Sequence, residues 1–426
     1  MGPHRRNVDD VLARINFPLF TLQMLTNRHV LVGGGGGSSK TGVANGFEIF
    51  ELSHDGKKFH VEEVTRHETG PNVVMNCAVS KTVDGKHTYL VAGQESHCQL
   101  YKVNTELVTL ENGNIETIGH NHSDDKSELR ERKPKAKQKN DAKKTVKKRL
   151  KFVLSPSESV QTDFNGTEPL CRVLRIHPNG KIMATGGTDG DVRIWKFPNL
   201  QPLAKLKGHS KEIDDIDFST FGNYLITVAK DGLAILWDCV KGTEIKRLTW
   251  QQPKGSKYLY KRCRFAPIEK EHKSALYMLT NPTGVAKKQK SYLQQWFPEH
   301  GVIKRSAEFD ESVSALAVRD DGRFVAVGTM FSGSVAIYAS FSLQRILNIP
   351  GAHSMFVTGL EFLPVANQEN HTVCSVAEAA VLSISVDNQV CIHTLPYRKT
   401  IPLWLAIVIL MFTMFLTFLF CSYIDI

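Results

Sequence analysis

Two tryptophans 42 residues apart constrain this chain more than any other feature. Gly186-Gly-Thr-Asp-Gly-Asp-Val-Arg-Ile-Trp195 reads as a tight Thr-Asp-Gly turn between two short strands, the second alternating through Val192 and Ile194 before it ends in Trp195. Ala229-Lys-Asp-Gly-Leu-Ala-Ile-Leu-Trp237-Asp238 repeats the design, and Gly208-His209 lies upstream of it. That interval is the period of a four-stranded propeller blade.

With this template, weaker copies become visible. They are Gly46-Phe-Glu-Ile-Phe50, Ala92 to Tyr101, Ser291 to Trp296, Gly328 to Tyr338 and Val386 to His393. The chain thus reads as all-β, a seven-bladed WD-repeat β-propeller with blade-core residues at Phe50, Tyr101, Trp195, Trp237, Trp296, Tyr338 and His393. No blade covers both of its own faces, and radial stacking supplies the missing cover. Eight scattered cysteines without a CxxC pair exclude a zinc ribbon or a thioredoxin-like centre.

One interval is irregular. Tyr101 and Trp195 lie 94 residues apart, and between them Lys126 to Lys151 hold 13 Lys+Arg against three Asp+Glu. That net of +10 equals the formal charge of the whole chain, so the rest is balanced and a globally basic nucleic-acid surface is excluded. The composition predicts a disordered, solvated basic insertion over about 104–151. Attraction of this tract to anionic lipid comes second, and a DNA-contacting or nuclear-localisation run third.

The C-terminal stretch from Leu403 to Phe420 carries no charge, with Trp404 near one end and Tyr423 near the other. It predicts a single transmembrane helix over 401–422, anchored by Leu403, Trp404 and Phe420. Arg398 and Lys399 precede it. Basic flanks stay cytosolic, so residues 1–397 are expected in the cytosol and 423–426 form a short lumenal tail.

Residues 33–46, GGGGGSSKTGVANG, superficially resemble a phosphate-binding loop. However, Ser39 rather than Gly precedes Lys40-Thr41, and a strand-like Phe47-Glu-Ile-Phe-Glu-Leu52 follows where a helix is required. Leu31-Val32 and Phe47 to Leu52 are expected to flank a 14-residue connection. From spacing alone a flexible, solvated loop is the expected reading, while a loop of carbonyls without a carboxylate would suit a weakly hydrated monovalent cation. Asn45 is the loop's one side chain able both to donate and to accept while reaching into another protein's polar site.

Taken together, Val32 to Gly46, Gly93-Gln-Glu-Ser-His-Cys-Gln-Leu100, Val160-Gln-Thr-Asp-Phe164, Ala184-Thr-Gly-Gly-Thr-Asp-Gly190, Gly333 to Tyr338 with Phe341-Ser-Leu-Gln344, and the C-terminal apolar stretch closely resemble the endoplasmic-reticulum guanine nucleotide-exchange factor family for the Sar-type small GTPase. The resemblance implies a cytosolic propeller on the reticulum membrane that promotes GDP release and GTP loading, which starts COPII coat assembly and transport to the Golgi. It also implies a structural potassium ion on backbone carbonyls of the glycine loop, with Gly36, Ser38, Thr41 and Val43 as candidates. The family's Gly-Ile-Pro-Asn segment matches Gly42-Val43-Ala44-Asn45. This makes Asn45 the expected contact to the GTPase nucleotide site, while Ala44 stands where the family has proline. Exchange needs no covalent chemistry, so the chain is not expected to be an enzyme in that sense. The alternatives are a DNA-binding transcriptional regulator, for which no recognition helix or finger is visible, and a membrane-tethered scaffold without exchange activity.

Overall fold

The computed structural model describes residues 10–423, except 39–41, 82–86, 112–113, 118–146, 254, 269–270, 285–288, 366–372 and 398–402. Alternating apolar strands separated by tight turns form seven antiparallel sheets. Blade 1 holds Leu19–Met24, His29–Gly35, Asn45–His54 and Phe59–Glu68, and blade 2 holds Val74–Lys81, Thr88–Gln94, His97–Glu111 and Lys147–Gln161. Blades 3 to 6 begin at Cys171–Ile176, Ile213–Phe218, Lys257–Ile268 and Val313–Val318, and each continues through three consecutive strands. Blade 7 contains Val357–Phe362, Ala379–Ser385 and Gln389–Leu395, and its outer strand is the N-terminal Val11–Arg14. Val11 pairs with Cys391 and Arg14 with Gln389, so the first strand closes the ring.

All seven anticipated core residues lie on the third strand of a blade, and all are buried. Two blades show why. In blade 4, His209 Nδ1 lies 3.1 Å from Asp231 Oδ2 and Nε2 lies 2.8 Å from Thr227 Oγ1, to which Trp237 Nε1 donates at 2.9 Å. Blade 7 rebuilds this relay as His353–Asp387 at 3.1 Å, His353–Ser383 at 2.7 Å and Ser383–His393 at 2.8 Å, with His393 in the tryptophan's place. Such a relay ties the loop entering a blade to its tight turn through buried, mutually polarised bonds.

Two expectations need correction. The insertion is shorter than 104–151, because the third strand of blade 2 runs on to Glu111 and its partner starts at Lys147, pairing Leu110 with Lys147 and Glu106 with Lys151. Arg149 at the end of the basic tract is fixed on blade 1, its Nη1 2.8 Å from Glu62 Oε1 and its Nη2 donating to Glu63 O at 2.9 Å. The rest of the tract, up to residue 146, lies outside the described residues.

The C-terminal stretch forms helix α1, Leu403–Tyr423, of 21 residues. Among the described residues no helix is long and apolar enough to cross a membrane, so the fold does not itself establish the expected span over 401–422.

Inside the ring the first strands of the blades line a channel of about 430 Å³. Arg264 Nη1 donates to Asp215 Oδ2 at 2.6 Å, Arg175 approaches Asp215 at 3.6 Å and Asp217 at 3.7 Å, and Arg172 donates to Asp214 at 2.9 Å. Burial pushes the Glu361 carboxyl in the same channel up to about 7, against the pull of Arg175 and Arg264.

Candidate functional site: the glycine loop

Most of the glycine run is strand rather than loop. His29–Gly35 pairs with Asn45–His54, with Gly34 opposite Gly46 and Gly35 opposite Asn45, so the connection spans 36–44 rather than 14 residues. The physical reason is close approach of backbone. A Cβ on Gly34 would sit 1.9 Å from Pro18 O, whose carbonyl accepts the Gly35 N–H at 3.0 Å. Gly35 and Gly37, at φ 144° and 82°, then turn the chain out of the sheet.

The Asn45 side chain is turned inward. It is 5% exposed, and its amide is spent on its own loop. Oδ1 accepts the Gly37 N–H at 2.8 Å, while Nδ2 donates to Gly37 O at 3.1 Å and to Gly70 O at 2.9 Å. The Thr69 N–H donates to Asn45 O at 3.0 Å. The residue thus clamps the start of the glycine loop to the segment joining blades 1 and 2. Gly70 was missed by sequence reasoning, since a contact 25 residues away leaves no local pattern.

At the loop's other end, Val43 packs against the core cluster built around Leu19, Leu22 and Val32. Glu48, further along the strand, is buried and raised above the ordinary carboxylate range by that burial, with Arg66 Nη2 3.0 Å from its Oε1. The candidate cation ligands are only partly placed: Gly36 and Val43 are half-buried, Ser38 is exposed, and Thr41 lies outside the described residues. Among the described residues no group of three or more His, Cys, Asp or Glu could hold a metal. The loop's oxygens are neutral carbonyls and hydroxyls, a donor set that fits a weakly hydrated monovalent ion.

The loop shares its face of the ring with the segments that enter each blade, as the Gly35–Pro18 and Asn45–Gly70 bonds require. The model of the WD domain, G-beta repeat, matches residues 158–196 and 200–238, within blades 2 to 4. Over its length the chain is 32% identical to the guanine nucleotide-exchange factor SEC12 of Mus musculus, covering 95% of this chain and 94% of that protein. It belongs to the SEC12 exchange-factor family. The Rattus norvegicus SEC12 is 31% identical over 95% of this chain and 94% of its own length. SEC12-like protein 2 of Arabidopsis thaliana is 26% identical over 45% of the chain and 46% of that protein. The SEC12 matches thus extend well beyond the WD repeats, through nearly all seven blades.

Proposed function

We propose that this SEC12-family chain is a guanine nucleotide-exchange factor that promotes GDP release and GTP loading on a Sar-type small GTPase, initiating COPII coat assembly at the endoplasmic reticulum. The observation that carries the reading is similarity to SEC12 exchange factors over 95% of the chain. Exchange is differential binding: a surface that favours the nucleotide-free GTPase over the GDP-bound form speeds nucleotide loss and forms no covalent bond. The loop over 36–44 is the element that meets the nucleotide site, and Asn45 is its positioning residue. Potassium on the carbonyls of Gly36, Ser38, Thr41 and Val43 would neutralise converging oxygen dipoles and stiffen the loop.

Anchorage in the reticulum membrane by α1, with the propeller in the cytosol, belongs to the same reading. It is supported by 21 helical residues without a charge and by Trp404 and Phe420 standing exposed. Anionic lipid is the partner proposed for Lys126 to Lys151, since each basic residue near such a surface contributes about 1 kcal/mol. The test is GDP release from the GTPase with the full chain in potassium and in sodium, and with Asn45→Ala. Acceleration weakened by both changes supports the reading, and no acceleration under any condition overturns it.

A further inference from the structure

The blades give the ring two unlike faces. The face opposite the glycine loop collects the turns between first and second strands and those between third and fourth. Cross-bonds between these turns define it: Cys239 N donates to Asn223 O, Ser340 N to Arg323 O and Phe197 N to Lys181 O. On this face Val240 is 91% exposed, Phe341 74% and Tyr397 59%, and Phe221 is exposed as well. Asp238 accepts the N–H groups of Val240 and Lys241 at 2.8 and 2.9 Å, so its carboxylate is spent on holding the turn whose apolar and ammonium tips project. Lys181 is also exposed here.

The third strand of blade 7 ends on this face at Leu395, and α1 begins at Leu403. The backbone between them reaches at most about 28 Å. An apolar helix is therefore tethered within that reach of the face that carries the apolar and basic tips.

We propose that this face docks flat on an anionic bilayer, with Phe221, Val240 and Phe341 seated among the headgroups and Lys181 and Lys241 against lipid phosphate. The proposal rests on the reading of α1 as a membrane anchor. The tips belong to blades 3, 4 and 6, so the occupant must span much of the ring, as a bilayer does and a peptide in one groove does not. Mixed apolar and basic tips suit the headgroup boundary, where apolar burial and attraction to anionic lipid add. Docking in this way turns the glycine loop away from the bilayer.

The test uses the full chain reconstituted in phosphatidylcholine vesicles with and without phosphatidylserine. An environment-sensitive fluorophore is placed at Phe221→Cys or Phe341→Cys, with Phe331→Cys on the opposite face as control and the labelled parent chain subtracted. We expect nitroxide lipid to quench positions 221 and 341 at least about two-fold more than 331, more so with phosphatidylserine. Val240→Asp should weaken quenching at 221. Equal quenching at all three positions overturns docking, and so does shielding of 221 and 341 that persists in detergent, which would mean a second copy covers the face. Resistance of the protein to alkaline extraction reads α1 insertion separately, so docking can fail while the anchor stands.

Discussion

Asn45 is worth more to the loop than to solvent. Replacing it with Ala leaves the carbonyls of Gly37 and Gly70 and the Gly37 N–H without their amide partner, at a cost of about 1–3 kcal/mol. Asn45→Asp keeps an acceptor for Gly37 but loses both donors. We therefore expect GDP release to fall for both variants, with Asp retaining part of the rate. Hydrogen exchange at residues 35–37 should speed up in step, which a residue acting only through direct GTPase contact would not produce.

His393 makes a second residue-scale prediction. Burial, helped by His353 nearby, lowers its pKa to about 3. The unfolded chain binds this proton near pH 6.5 and the folded chain does not, so stability is full above that pH and drains as pH falls toward the folded value. We expect a loss of about 3 kcal/mol between pH 6.5 and pH 4 from this group, seen as a falling melting temperature. His393→Gln should flatten that slope, and an unchanged slope would assign the acid sensitivity elsewhere.

At the scale of elements, the third strands were the legible part. Each places a large buried side chain at a position set by the blade period, so Trp195 and Trp237 gave the template and weaker matches such as Tyr338 fell into line. Strand ends were less legible. Gly33 to Gly35 read as loop because nothing local announces that Pro18 lies against them. The paired strands leading into the basic tract were hidden because its charge reads as solvated, although Arg149 finds Glu62. The channel network was missed for a related reason: Arg175, Asp215 and Arg264 are ordinary charges in sequence and become a cluster only when the innermost strands converge. The closing strand has its own test. Removing residues 1–14 exposes the edge of Gln389–Leu395 and uncovers core that Leu12 and Ala13 pack against. We expect a stability loss of about 1–3 kcal/mol and a rise in aggregation by light scattering.

For the whole molecule, the ring separates its two sources of charge and recognition. The glycine loop occupies one face, while the paired strands that lead into the basic tract leave blade 2 toward the other. Deleting 118–146 spares the strand pair, whereas a cut through 151 would remove Arg149 and Phe152's neighbours from the sheet. We expect that deletion to leave GDP release from the GTPase unchanged and to reduce association with anionic vesicles measured by flotation. Abolished exchange would tie the tract to the loop's activity.

Ring closure also has a consequence in time. Val11 emerges early in synthesis, yet its partner Cys391 is made 380 residues later. At about 5–20 residues per second this is a delay of roughly 20–80 s. Throughout that interval the nascent chain carries an unpaired strand, and by its end six blades stand as an open arc that cannot yet bear a partner on a complete ring. Whatever escorts the chain during synthesis must therefore shield its oldest strand for longest and release it last.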